Sequence, residues 1–276
     1  MSSVVSRSAS RSLRAGLSRY GRSLSSESNR LDEPLKAEGA ESARSSTKLL
    51  VLGGNGFVGS HVCKEALAQG LSVSSLSRWS GRPSIRESWA DKVEWYRGNL
   101  LEPESLKDAM NNANAVVSCV GGFGSPSHMR TLNGTANVNA VRVASEQGVQ
   151  RFAYVSAASF GVIDYFLQGY YDGQKATEAE ISAKFPNAGV ILRPGYIYGT
   201  KRYGSIKIPL GLIFAPFELV LQYTEPLHRI PLIGPVFTPP VNVAKVAKVI
   251  VRGATDPAFS PAEVDVYSII RLGKQL

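Results

Sequence analysis

Three glycines at a regular spacing carry the clearest chemical signal in this sequence. Gly53, Gly56 and Gly59 follow the apolar run 49–52 and open an amphipathic stretch that ends near Gly70. In a strand–turn–helix, the first glycine permits a sharp exit, the second lets a pyrophosphate approach the backbone, and the third lets the helix pack close to the sheet. The N–H groups and dipole of the helix start then attract phosphate. A glycine-rich turn occurs in many α/β proteins, but this context favours a dinucleotide site.

The residues at the end of the second predicted strand bear on the choice of dinucleotide. An acidic residue there would bind the ribose 2′-hydroxyl of NAD(H). The sequence has Ser77 and Arg78 instead. A hydroxyl and a guanidinium suit a 2′-phosphate, so NADP(H) is the preferred cofactor and NAD(H) a possible one. The alternative is that Arg78 only begins a solvent loop.

Alternating strands and helices must position these residues. The fourth predicted strand ends in the glycine-rich segment 121–124, which again brings backbone close to a ligand. Five βα steps with short connections predict an α/β fold, a Rossmann-type doubly wound parallel sheet with the ligand beyond the carboxyl ends of its strands. The strands are predicted at 49–52, 71–77, 93–97, 115–120 and 151–156, and long helices at 57–69 and 129–147.

Charge is concentrated at the N-terminus. The 276 residues carry a net charge of +9, and residues 1–26 supply +5 of it through five arginines without any Asp or Glu, which leaves +4 for the remainder. This distribution gives no reason to expect a nucleic-acid partner. The composition of residues 1–26 is that of a transit peptide, and a disordered basic tail would share it. Their regularly spaced arginines favour the mitochondrion, matrix or matrix face of the inner membrane, over the chloroplast.

The rest of the chain is typical of a globular protein with 43% hydrophobic residues. Residues 27–47 are polar and predict a disordered linker. Cys63 and Cys119 are predicted to be buried thiols, and the three scattered histidines do not indicate a metal site. The apolar stretch 206–220 is too short and too interrupted for a transmembrane helix. It is either core of a small lobe or a hydrophobic mouth that faces a lipid-like substrate or a membrane surface.

Several spaced motifs, taken together, resemble a known superfamily. Over residues 48–272 the chain resembles the extended and atypical short-chain dehydrogenase/reductases. Within them it looks most like the atypical branch, which includes the NADPH-carrying accessory subunit of mitochondrial complex I and a related coenzyme Q synthesis protein. The motifs are the glycine turn, Gly98-Asn99-Leu100, Asn133-Gly134-Thr135, Arg151–Ser156, Tyr171 with Lys175, and Leu192–Gly195.

The resemblance implies a Rossmann core at 48–193 with a small C-terminal substrate-side lobe at 194–276. Asn99 and Leu100 match the pair that flanks adenine, although the family usually has Asp where Asn99 stands. It also implies a partner complex at the mitochondrial inner membrane and a quinone-like or lipid-like substrate. The residues expected to bind the cofactor are Gly53, Asn55, Gly56, Phe57, Gly59, Ser77, Arg78, Asn99, Leu100, Val120, Gly121, Gly122, Tyr171, Lys175 and Pro194.

The resemblance assigns catalysis to Tyr171 and Lys175, and the flanking Ser156 is a third catalytic candidate. Tyr171 and Lys175 lie four residues apart and share one face of a helix. An ammonium beside a phenol favours the phenolate, so Tyr171 could act as general acid or base near neutral pH. Lys175 could also hold the nicotinamide ribose. An ordinary exposed Tyr/Lys pair is the alternative.

One departure from the family pattern opens two function classes. Family members usually have Ser or Thr after strand five to bind the substrate carbonyl, and Ala157 stands at that position. A missing oxyanion donor often costs about 3 kcal/mol of transition-state stabilisation. The favoured prediction is a cofactor-holding accessory or assembly factor in coenzyme Q biosynthesis or complex I. The alternative is an active NADP-dependent oxidoreductase on an apolar carbonyl or alcohol.

Overall fold

A parallel sheet of seven strands forms the centre of the molecule. The computed structural model describes residues 47–78, 87–203, 206–209, 211–225 and 237–276, so the predicted transit peptide and nearly all of the linker lie outside it. The strand order is β11-β6-β5-β4-β1-β2-β3, with every neighbouring pair parallel. These strands are β1 Lys48–Leu52, β2 Ser72–Ser77, β3 Glu94–Arg97, β4 Ala115–Ser118, β5 Arg151–Val155, β6 Gly189–Arg193 and β11 Ala262–Asp265.

Helices cover both faces of this sheet, which confirms the predicted fold class. The central strand β1 is apolar along its length because it is buried on both sides, and its residues 49–52 have no exposed surface. The helices are α1 Phe57–Ala68, α2 Lys107–Met110, α3 Pro126–Arg130, α4 Ala136–Glu146, α5 Val162–Phe166, α6 Gln168–Lys184, α7 Gly211–Leu221, α8 Val243–Thr255 and α9 Val266–Gln275. One core layer is formed with α1, α8 and α9 and the other with α2, α4 and α6.

The predicted helix 129–147 is longer and less regular than expected. Helical structure runs without a break from Pro126 to Glu146, but five residues in its middle, Thr131–Thr135, form a π-helical turn between α3 and α4. A π turn inserts one extra residue into a helix and often lies at a functional site. This turn lies beside the candidate site.

The chain after Arg193 both completes the sheet and extends beyond it. β11 pairs with β6, with Val264 opposite Leu192, so the sheet receives its last strand from the segment predicted as a small lobe. Outside the main sheet lie the parallel pair β7 Ile197–Tyr198 and β10 Val241–Asn242, the hairpin β8 Thr200–Tyr203 with β9 Ile206–Pro209, and α7. No helix among the described residues is long and apolar enough to cross a bilayer.

Candidate functional site

The glycine turn after β1 has the geometry that its spacing predicts. Gly53 adopts a φ of 81°, a left-handed conformation that favours glycine, and its N–H donates to the Leu76 carbonyl at 2.9 Å. The Gly56 N–H then donates back to the Gly53 carbonyl at 2.9 Å. These two bonds fix a tight loop between the ends of β1 and β2.

The third glycine lets α1 pack against this loop. A Cβ added at Gly59 would lie 2.2 Å from the Gly53 carbonyl oxygen and 2.8 Å from the Gly54 Cα. Gly54 is equally confined, since its N–H donates to the Ser75 hydroxyl at 3.1 Å and an added Cβ would meet that oxygen at 2.4 Å. The close contact therefore joins helix and loop, whereas the glycine spacing predicts a contact of the helix with the sheet.

The start of α1 presents polar hydrogens to solvent. Its N-cap, Gly56, is extended and offers no side-chain cap, and the first turn contains no acidic residue. The first N–H groups of a helix lack intrahelical acceptors and attract anions. This end of α1 is therefore suited to a phosphate group.

A cavity of about 470 Å³ opens above the glycine turn, at the carboxyl ends of β1, β2 and β4. This is the edge at which ligands bind in doubly wound sheets. Nine predicted residues line it: Gly53, Asn55, Gly56, Ser77, Arg78, Asn99, Leu100, Val120 and Gly121. Leu101, Cys119, His128, Thr131, Leu132 and Ala136 also line it and were missed because no motif marks them.

Four other predicted cofactor residues do not line this cavity, and one of them, Pro194, lies next to Ala158 at the other side of the carboxyl edge. Phe57 begins α1 and packs edge-on against His61, with ring centroids 5.5 Å apart. Pro194 is buried, and its carbonyl accepts from the Ala158 N–H at 2.8 Å. Gly59 is buried under the loop, and Gly122 lies one residue beyond the lining residue Gly121.

Polar side chains at the rim are arranged for a ribose or a phosphate. Arg78 is exposed, and no ion pair of its guanidinium is found among the described residues. Asn55 donates a long 3.4 Å hydrogen bond to the Ser77 hydroxyl. Asn99, where the family usually has Asp, closes its own turn by donating to Glu102 at 2.9 Å and accepting from the Leu101 N–H at 3.2 Å.

Two fully buried asparagines hold the wall of the cavity after β4. Asn133 accepts from the Gly122 N–H at 3.0 Å and donates to the Gly122 carbonyl at 2.9 Å. Asn137 donates to the Val120 carbonyl at 3.1 Å and accepts from the Ser118 hydroxyl at 2.6 Å. Together they fix the glycine-rich backbone that the cofactor would contact. Their spacing of four residues within a helical pattern was the available signal.

A second cavity, of about 400 Å³, lies at the carboxyl ends of β5, β6 and β11. It contains all three predicted catalytic residues and Ala157. Its lining is Ser156, Ala157, Ala158, Ser159, Asp164, Tyr171, Gln174, Lys175, Glu178, Arg193, Asp265, Val266 and Tyr267.

The predicted lowering of the Tyr171 pKa is wrong for this conformation. The Tyr171 hydroxyl donates to the Ala158 carbonyl at 3.1 Å. Burial and the neighbouring Asp164 carboxylate raise the pKa of Tyr171. Lys175 is exposed, and no hydrogen bond of its ammonium is found within the described part of the chain. The phenol therefore stays protonated near neutral pH, which suits a proton donor rather than a base.

The serines near Tyr171 donate to carboxylates. Ser156 is buried and donates to Glu178 at 2.5 Å, and Glu178 also pairs with Arg193 at 2.5 Å. Ser159 donates to Asp164 at 2.6 Å. Ala157 lies between these two serines, and both of their hydroxyls donate to carboxylates of the chain.

Helix α6, which carries Tyr171, is docked on the π turn. Gly134 and Gly173 let the backbones touch, since a Cβ on Gly134 would lie 3.0 Å from the Gly173 Cα. The Thr177 hydroxyl donates to the Asn133 carbonyl at 2.9 Å. Asn133 therefore contacts both the wall of the first cavity and the helix of the second.

Comparison with known sequences decides the family. Residues 53–210 match the sequence profile of the NAD(P)H-binding family. This chain belongs to the NAD(P)H-binding family. The match covers the glycine turn, the lining of the first cavity and the Tyr171 helix, but not Asp265, Val266 and Tyr267 of the second cavity. It confirms the predicted relation to short-chain dehydrogenase/reductases.

Two curated relatives of this NAD(P)H-binding protein extend over most of its length. An uncharacterized chloroplastic protein of Arabidopsis thaliana is 39% identical over 219 residues, which are 78% of this chain and 73% of that protein. MIOREX complex component 2 of Saccharomyces cerevisiae is 24% identical over 270 residues, 77% of this chain and 95% of the yeast protein.

Solved structures support the fold. The Bordetella bronchiseptica enzyme WbmH in complex with NAD⁺ superposes with a TM-score of 0.56 at 16% identity, over 79% of this chain and 74% of that one. At this level of identity, the similarity shows only that the NAD(P)H-binding protein shares the fold.

The predicted preference for the mitochondrion over the chloroplast is wrong. The relative that is 39% identical over 78% of the chain is chloroplastic. The physical reason is that Arg- and Ser-rich, acid-poor segments serve as transit peptides for both organelles, so arginine spacing did not discriminate between them.

Proposed function

We propose that this NAD(P)H-binding protein is a cofactor-holding accessory or assembly factor of a protein complex, with NADP(H) as its nucleotide. The observation that carries the proposal is the contrast between the two cavities. The first presents an uncapped helix start and the exposed Arg78, while the serines and Tyr171 of the second are bonded to acceptors within the chain.

The yeast relative is named as a component of a complex, which supports an accessory role. The resemblance to a coenzyme Q synthesis protein makes a complex that handles an apolar quinone the first partner to test. Bound nucleotide would stabilise the fold for that partner by about 2.7 kcal/mol at a hundredfold excess over its dissociation constant.

The alternative is an NADP-dependent oxidoreductase on an apolar carbonyl or alcohol. Tyr171 favours it, because a buried, protonated phenol at the edge of a cavity can donate a proton to a carbonyl oxygen. In that reaction Lys175 would hold the nicotinamide ribose, and no serine would share the developing charge in the conformation described.

Two variants separate these functions in a null strain. Gly56→Asp puts a side chain and a negative charge where phosphate would bind, so nucleotide binding should fail. Tyr171→Phe removes only the hydroxyl and should leave NADPH affinity nearly unchanged. An accessory factor should rescue quinone content and growth with Tyr171→Phe and fail with Gly56→Asp.

The matched control is Asn112→Asp, which adds the same charge at an exposed position away from the cavity and should rescue fully. Failure of Tyr171→Phe, with its abundance and NADPH affinity intact, would establish the oxidoreductase instead, since general acid catalysis typically contributes about 10²–10⁴-fold.

A further inference from the structure

In the C-terminal half of helix α7, apolar side chains are exposed and the charged side chain is buried. Its one charged residue, Glu218, is 4% exposed, whereas Phe217, Leu219 and Val220 are 57%, 67% and 66% exposed. Tyr223, just after the helix, is 77% exposed. A surface helix normally turns apolar residues to the core and charge to water. Neighbouring exposed apolar side chains of this size indicate a surface that binds something.

Contacts of Glu218 keep this orientation in place. The Tyr198 hydroxyl donates to its carboxylate at 2.7 Å, the Asn242 N–H donates at 3.1 Å, and the Lys245 ammonium pairs with it. Turning the apolar side of α7 inward would take this buried carboxylate away from its partners, which is costly. The outward position of the apolar side chains is therefore a built feature of the fold.

Basic residues precede this helix directly. The hairpin β8–β9, residues 200–209, carries Lys201, Arg202 and Lys207 and has no acidic residue, and only Leu210 separates it from α7. Arg202 and Lys207 are partners across the hairpin. Since Lys245 pairs with Glu218, the sequence of the hairpin and the helix carries a net positive charge. Cations beside an apolar helix are what an anionic lipid surface attracts.

We propose that hairpin β8–β9 and helix α7 attach the protein to an anionic lipid surface, with Phe217, Leu219 and Val220 inserted among the headgroups. The helix has 11 residues and is about 16 Å long, against about 30 Å for a hydrocarbon core, so it lies in the interface and does not span it. This attachment goes beyond the proposed function and holds whether or not the protein is an enzyme.

The first test is flotation of the purified full chain with vesicles of phosphatidylcholine containing a minor share of phosphatidylglycerol. The protein should float with them, and Phe217→Ser/Leu219→Ser/Val220→Ser should reduce the bound fraction at least ten-fold. The matched control, Phe217→Leu/Leu219→Ile/Val220→Ile, keeps the helix apolar while changing its shape and should still bind. Circular dichroism should show that all three proteins are folded.

The second test separates the hairpin from the basic N-terminus. Lys201→Gln/Arg202→Gln/Lys207→Gln should remove the preference for anionic over pure phosphatidylcholine vesicles. Replacing the five arginines of residues 1–26 by Gln should retain it. This pair also keeps the proposal testable if the serine variant does not fold.

Several results would overturn the proposal. One is a wild-type chain that does not float, and another is loss of binding only in the variant that lacks the N-terminal arginines. A third is loss of binding in the apolar control, because binding to a lipid surface depends on apolar area and not on the exact shape of the side chains. If the serine variant instead converts a dimer into a monomer in sedimentation, the helix face is a contact between copies of the chain.

Discussion

The two cavities at the carboxyl edge of the sheet differ in how their polar groups are used. Around the glycine turn, the backbone is held tightly while the groups that face the cavity stay available: the start of α1 has no side-chain cap, and Arg78 is exposed. Around Tyr171, the side chains bond one another, as Ser156 does with Glu178 and Ser159 with Asp164. A site built for a ligand has a rigid frame and polar groups without partners in the chain, and of the two cavities the first fits this description better, although Lys175 of the second also lacks a described partner.

The largest expected effect tests the rigid frame of the first cavity. Gly59→Ala would place a Cβ 2.2 Å from the Gly53 carbonyl, so α1 must move away from the loop. We expect a loss of about 3 kcal/mol or more in the free energy of unfolding, with loss of NADPH binding. Denaturant unfolding and calorimetric titration measure both. Ser60→Ala, one residue further along α1, is the control, and unchanged NADPH affinity in Gly59→Ala would refute the role of this contact.

The next effect tests whether the two cavities are coupled. Asn133→Asp keeps the shape of the side chain but removes the donor that serves the Gly122 and Met129 carbonyls. A buried carboxylate facing two carbonyls should cost about 2–4 kcal/mol of stability and also weaken NADPH binding. Asn112→Asp is again the exposed control. Normal NADPH affinity in a destabilised Asn133→Asp would mean that Asn133 serves stability alone.

A smaller effect sharpens the assignment of the first cavity. Arg78→Ala should weaken NADPH binding about ten- to a hundred-fold, because a charge-assisted hydrogen bond to phosphate contributes roughly 1.5–3 kcal/mol. NADH binding should be nearly unchanged. Arg97→Ala is the matched control. Arg97 lies opposite Ser77 in the register of β2 and β3 but does not line the cavity. Equal losses of NADPH and NADH affinity in Arg78→Ala would show that Arg78 does not bind the 2′-phosphate.

The smallest effect concerns the closed network of the second cavity. Because the folded-state pKa of Tyr171 is raised, its contribution to stability is complete below the unfolded value of about 10 and is lost as pH rises above it. Ultraviolet difference spectra between the wild type and Tyr171→Phe should therefore show no phenolate below about pH 10. A Tyr171 phenolate signal near neutral pH would restore Lys175 as its activator. The variant should cost only about 1 kcal/mol of stability, from one hydrogen bond.

What the sequence could predict follows from the range of the interactions. Gly53, Gly56 and Gly59 act within one strand–turn–helix, so their spacing sufficed to place the turn. The parallel sheet followed from the alternation of apolar strands with helices, because short connections leave few other topologies.

Features that depend on distant pairing escaped sequence analysis. The partners of Ser156, which are Glu178 and through it Arg193, lie 22 and 37 positions further along the chain, and nothing local marks them. β11 joins the sheet beside β6 although some seventy residues separate them, a register that only the folded chain defines. The pKa of Tyr171 was mispredicted for the same reason, since Asp164 and the Ala158 carbonyl reach it through the fold.

The π turn has a consequence for the length of the chain. It contains one residue more than an α-helix would need between Pro126 and Glu146. Deleting a single residue from 131–135 would let a regular helix form, and each residue turns a helix by about 100°. Asn133 and Asn137 would then no longer both face the backbone after β4. This part of the protein is therefore constrained in residue number as strictly as in residue type. We expect related chains that keep both asparagines to differ here by substitution and not by insertion or deletion.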